Sequence, residues 1–165
     1  MHTRVAEGNL FMRTLLTLIL LTFIPLGLNG QVTDKNLKLT IRESTMAGNS
    51  YYEVTPDSIL IMATYYSPHK KTTEFKKALS KDERQKLEKA LLKIEIKELK
   101  DSYFGQDVSD DNYEFEFTFD VNGTNKKTRI YEYKHKDIFE LVRQINLLLP
   151  ENYLVHYDEK YCKNK

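Results

Sequence analysis

The stretch YEFEFTFDVNGTNKKTRIYEYK, residues 113–134, decides the fold. Tyr113, Phe115, Phe117, Phe119 and Val121 alternate with Glu114, Glu116, Thr118 and Asp120. That period of two marks a strand with one buried and one wet face. Asn122-Gly123 then supplies the two positive φ angles of a type I′ turn, so the chain returns as an antiparallel strand to about Lys134. With Val121 opposite Thr124, the register sets Glu116 across from Arg129 and Phe115 across from Ile130. The charged pair and the apolar pair fall on opposite faces, as a one-sided sheet requires.

Working outward, Leu37, Leu39 and Ile41 alternate with Lys38, Thr40 and Arg42, which predicts a first strand. Residues 44–50, with Gly48-Asn49, read as a loop, and residues 51–55 as a second strand. Pro56-Asp57-Ser58 is turn chemistry. Residues 58–66 (SILIMATYY) are apolar enough for a central strand, and residues 71–78 read as a polar edge strand. Ser80 and Glu83 form a capping box ahead of Leu87, Ala90, Leu91 and Ile94, which predicts a helix from Lys81 to about Lys93. Residues 94–104 have no clear period but are expected to pack Ile96, Leu99 and Phe104. Downstream, Ile138, Leu141, Val142, Ile145, Leu148 and Leu149 predict an amphipathic helix from about Lys136, stopped by Pro150. Residues 153–157 (YLVHY) read as a last short strand. The order β-β-β-(β)-α-β-β-α-β defines an α+β domain, an antiparallel sheet with two helices on one face. It is expected to span residues 31–158, with a basic tail at 159–165.

The N-terminal end carries a different signal. Residues 14–28 (TLLTLILLTFIPLGL) are uncharged and follow Arg13 directly. The run is shorter than the ~20 apolar residues of a membrane span and is broken by Pro25 and Gly27. Residues 1–30 therefore read as a secretory signal peptide cut after Gly30, with an uncleaved N-terminal anchor as the alternative reading. Glu7 is out of place in such a leader, and Met12-Arg13 makes a more ordinary start. No cysteine stands at the cleavage point for lipid attachment, so no stable membrane anchor is expected after cleavage. The expected location is periplasmic or extracellular. The whole chain has 25 basic and 24 acidic residues; loss of Arg4, Arg13 and Glu7 leaves the two in balance. Such a chain lacks the basic surplus that nucleic-acid binding needs.

Motifs of catalysis are scarce. Asp107, Asp110, Asp111 and Glu114 cluster in the acidic stretch 106–114, but without EF-hand spacing or its central glycine. His69, His135 and His156 form neither HxH nor HExxH, and His156 with Asp158 would supply only two ligands of a metal site. Cys162 is the single cysteine, which excludes an intramolecular disulfide, and it sits in a lysine-rich terminus that would not hold a nucleophile. Ser67 lacks a G-x-S-x-G context, and no glycine-rich phosphate loop is present. Asn122-Gly123-Thr124 matches a glycosylation acceptor, but the hairpin turn accounts for it. No cofactor and no metal are expected.

What stands out is aromatic: the chain has 11 Tyr and no Trp. On the returning strand, Tyr131 and Tyr133 are expected on the charged face beside Glu114, Glu116 and Arg129. Tyrosine gives large contact area at low entropy cost, so these five residues make a candidate surface for a protein or glycan partner. The competing expectation is that the rings pack within the sheet. NSYYEVTPDSILI, ALSKDERQKLEKAL, EFEFTFDVNGTNKKTRIYEY and INLLLPENYLVHYD together resemble small exported bacterial domains of unknown function. That resemblance implies the α+β fold and an envelope or extracellular location, and no activity. The expected function is a non-catalytic exported binding domain. The alternatives are a small hydrolase built on an unrecognised carboxylate pair and a carrier of an apolar ligand.

Overall fold

The computed structural model describes residues 36–66, 71–105 and 113–158. The leader, His69, Ser67, the acidic residues 107–111, Cys162 and the basic tail lie outside them. Strands β1 (Leu37–Thr45), β2 (Gly48–Val54), β3 (Ser58–Tyr65) and β4 (Lys71–Ala78) precede helix α1 (Lys81–Leu91). Strand β5 (Ser102–Phe104), the pair β6 (Glu114–Val121) and β7 (Thr124–Tyr131), and helix α2 (Lys136–Asn146) follow. The strands form one sheet in the order β4-β3-β2-β1-β6-β7-β5, antiparallel except where β5 runs parallel to β7. Both helices pack against one face, and the fold is α+β.

The β6–β7 register is the one the sequence predicts: Val121 faces Thr124, Glu116 faces Arg129 and Phe115 faces Ile130. Asn122 and Gly123 take φ of 51° and 78°, the left-handed region that a type I′ turn demands. Phe115, Phe117 and Phe119 thus make an unbroken inward row, fully buried against Leu39, Ile41 and the helices. Leu87, Ala90 and Leu91 of α1 and Ile138, Leu141, Val142 and Ile145 of α2 close over them. Burying each large side chain contributes about 1.5–3 kcal/mol, so this row and its cover dominate the stability. One polar group breaks the pattern. Thr128, opposite Phe117, is fully buried and its Oγ1 has no hydrogen-bond partner among the described residues.

The capping box forms as expected. Ser80 Oγ accepts from the Glu83 amide, and Glu83 Oε2 accepts from the Ser80 amide at 2.8 Å. Bonding from Ser80 and from Lys77 holds the Glu83 carboxyl down at about 2.

Four expectations change. Residues 44–50 are a tight hairpin rather than a loop, with Thr45 paired to Gly48. Thr45 Oγ1 braces the turn, accepting from the Ala47 amide and donating to the Gly48 carbonyl. Residues 58–66 are interior but not central, because β1 holds the middle of the sheet. Their apolar character comes partly from Leu60 and Met62, which stand on the outer face. The patternless stretch after α1 ends in β5, which adds an edge; Ile96 and Leu99 are buried as expected, while Phe104 is 60% exposed.

The fourth change concerns residues 154–158, which take no place in the ladder. Side chains stand in for a partner strand. Asn146 donates through Nδ2 to the Val155 carbonyl and accepts through Oδ1 from the Val155 amide, both at 2.9 Å. Tyr52 donates to the Leu154 carbonyl at 3.0 Å. Tyr157 donates to the Tyr133 carbonyl and accepts from the His135 amide, each at 2.8 Å.

Candidate functional site

The alternation that buries one face of the sheet leaves the other without a helical cover. Its charges come in ordered cross-strand rows. One row runs Ser102, Arg129, Glu116, Arg42, Tyr51 and Met62, crossing β5, β7, β6, β1, β2 and β3. The next runs Phe104, Tyr131, Glu114 and Ser44.

Glu116 is the hub of the first row. Its side chain is only 11% exposed, and three cations cover it: Lys127 Nζ at 3.0 Å, Arg129 Nε at 3.2 Å and Arg42 Nη1 at 3.6 Å. Desolvation pushes its pKa up, but hydrogen bonds from Lys127 and Arg129 and the nearby charges outweigh it, and the net shift is downward. The Glu114 carboxylate lies 3.7 Å from Arg129 and accepts from the Tyr131 hydroxyl at 3.1 Å. Burial, then the Glu114 contact, raises the Tyr131 pKa. Four of the five expected site residues therefore meet: Glu114, Glu116, Arg129 and Tyr131.

Tyr133 does not join them. Strand β7 ends at Tyr131, and Glu132 takes a positive φ of 50°. That turn breaks the alternation, so Tyr133 packs against the core and stacks on Tyr103 at 5.2 Å. Its place on the charged face is taken by Phe104, whose ring lies parallel to that of Tyr131 at 4.9 Å and 2°. Phe104 comes from β5, which Gly105 keeps close: a Cβ there would collide with the Glu132 carbonyl. Asp101, Ser102, Phe104, Lys127, Arg129 and Tyr131 line a shallow recess at this edge.

A second polar cluster lies on the opposite, helix-covered face. Glu43 is 2% exposed and sits in the inward phase of β1. His156 Nδ1 lies 2.7 Å from its Oε1, and the Tyr52 hydroxyl, whose nearer acceptor is the Leu154 carbonyl, lies 3.4 Å from Oε2. Burial and the Glu43 charge push the Tyr52 hydroxyl well above the usual phenol range. A carboxylate at Nδ1 fixes the tautomer of an imidazole, and here it also fastens residues 154–158 to β1. His156 is thus paired with Glu43. His135 stands ahead of α2 with its ring edge-on to Tyr103 at 5.1 Å, and burial lowers its pKa. Among the described residues no three of His, Cys, Asp and Glu gather as a metal cluster, and no helix is long and apolar enough to cross a membrane.

Fold and face define a class, an α+β domain with one helix-covered and one open sheet surface. No family model matches the chain, and comparison with curated proteins and with solved structures finds no match.

Proposed function

We propose that the domain is a non-catalytic binding module, exported to the periplasm or cell exterior, which takes a protein or glycan partner on its open sheet face. One observation carries this reading: a sheet face without helical cover holds a preformed set of exposed cations and aromatic rings, fixed by mutual bonds. Lys127 and Arg129 are bonded to one sunken carboxylate, with Arg42 beside it, which lowers the rotamer freedom lost when a partner binds. A hydrolase is less well supported. A general acid needs a raised carboxyl pKa, whereas the net shift of Glu116 is downward. An interior carrier is also less well supported, because the cavity between sheet and α1, lined by Leu37, Leu39, Val54, Leu87 and Leu91, measures about 20 Å³, the room of about one water.

The test is capture of partners from envelope extract and on a glycan array by the wild-type chain and by an Arg129→Ala/Tyr131→Ala variant. Loss of capture by a variant that keeps its far-UV spectrum is expected; unchanged capture would refute this face. Cell fractionation with N-terminal sequencing tests export, with a mature start at Gln31 expected.

A further inference from the structure

We infer that the recess at the β5–β7 edge is a subsite for a carboxylate-bearing sugar, a hexuronic acid within an acidic glycan; this rests on the binding reading above and names its ligand. The first ground is the arrangement of charge. Lys127 and Arg129 line the recess with side chains 51% exposed, while Glu116 behind them is 11% exposed and Glu114 beside them 38%. Asp101, the exposed carboxylate of the lining, is paired with Lys126 at 2.6 Å, and on the β7 side of the recess a guest carboxylate meets Lys127 and Arg129 before the sunken Glu116. Arg129 offers the planar donor fork that suits a carboxylate.

The second ground is the aromatic shelf. Phe104 is a phenylalanine 60% exposed on an edge strand, a position where a hydrophobic ring has no part in the core. Backed by Tyr131, it offers a flat surface next to the cations. Pockets for small ligands pair such apolar surface with a few placed polar groups. The C–H face of a pyranose fits the ring, and a carboxylate on that pyranose reaches the Lys127 and Arg129 side. Alternate residues of a strand lie about 7 Å apart, so Lys127, Arg129 and Tyr131 span about 14 Å, the length of two to three sugar units.

The third ground separates a sugar from a protein. A protein interface of ordinary size buries about 800 Å² per partner around an apolar centre. Here the apolar surface is divided: Phe104 and Tyr131 stand at one edge, Tyr51 and Met62 across β2 and β3. Ion pairs and the threonines Thr40 and Thr118 fill the strip between. That composition suits a small, hydrated, acidic ligand.

The experiment titrates the full chain by calorimetry and NMR with oligogalacturonate and oligoglucuronate, their methyl esters, and polyglutamate. At least one uronate should bind saturably at about 1 mM or below. Its methyl ester, which keeps the ring and loses the charge, should bind about tenfold more weakly. Phe104→Ala and Arg129→Gln should each weaken binding about fivefold or more with unchanged melting, and Phe104→Tyr should restore it. Absence of uronate binding overturns the inference, as does ester binding equal to acid, polyglutamate binding equal to uronate, or indifference to Phe104→Ala. If uronates fail while Arg129→Ala/Tyr131→Ala still abolishes capture of another partner, the sugar assignment falls and the binding face stands. If that capture is also unaffected, both fall.

Discussion

Thr128→Val should make the protein more stable. Thr128 is fully buried on the inner face of β7, opposite Phe117, and its hydroxyl has no partner among the described residues. An unsatisfied buried hydroxyl costs about 1–3 kcal/mol relative to water. Valine keeps the shape, replaces the hydroxyl with a methyl group and suits a strand at least as well. The expected gain is about 1–2 kcal/mol, or about 4 °C in Tm per kcal/mol for a domain of this size. Thr128→Ser keeps the hydroxyl and removes the methyl, and should lose about 1 kcal/mol. Urea unfolding followed by circular dichroism gives both values, provided the m-values stay equal. A neutral or destabilised Thr128→Val would mean that the hydroxyl is satisfied, and the reasoning would be wrong.

Other consequences are as direct. Ser80→Ala removes the cap acceptor of α1 and should cost about 1 kcal/mol, read as a lower urea midpoint; an unchanged midpoint would show that the cap contributes nothing. Acid should destabilise the fold through depressed carboxyls. Bonding from Ser80 holds Glu83 at about 2, and bonding from Arg143 holds Glu140 at about 2. A lowered folded-state pKa gives stability that is complete above the ordinary value of 4.5 and lost as pH falls toward 2. Glu83→Gln should therefore differ from wild type at pH 7 and converge on it near pH 2, and parallel stability curves would contradict this. Asn146→Ala strips both backbone partners from the buried Val155 and should cost about 2–3 kcal/mol. Hydrogen exchange should speed up at Val155; unaltered protection there would show that Asn146 does not hold the segment.

Local signals in the sequence carried the hairpin and the cap. Asn122-Gly123 fixes a register because only a primed turn accommodates it, and Ser80 with Glu83 marks a helix start within four residues. The β1–β2 turn reads as a longer loop because Gly48-Asn49 carries turn chemistry and Met46-Ala47, the actual turn, does not. Among the described non-glycine residues, positive φ is confined to Asn122 and Glu132. Strand β5 was illegible for a different reason: three residues pairing in parallel with a strand 27 positions on leave no period to read. The site was legible where alternation held, at Glu114, Glu116, Arg129 and Tyr131. It failed at Tyr133, because nothing about Glu132 announces a left-handed residue. Hydrophobicity alone points Phe104 to the core, and nothing local marks it as an exposed edge residue. Glu43 did leave a trace: Leu37, Leu39 and Ile41 set an inward phase that places a carboxylate in the interior. Its partner His156 lies 113 residues away, beyond any local pattern.

The middle position of β1 has a consequence for how the sheet assembles. Strands β1 to β4 form one run of consecutive neighbours and β6–β7 another, and the two join only along β1–β6, where Leu37 meets Val121. Until that seam closes, Leu39 and Ile41 on one side and the phenylalanines of β6 on the other lack their mutual contacts. Such pairing between distant stretches of chain is slow, because loop closure must precede its reward. Closing the seam needs β6 through Val121, and completing the core needs α2, Val155 and Tyr157 as well.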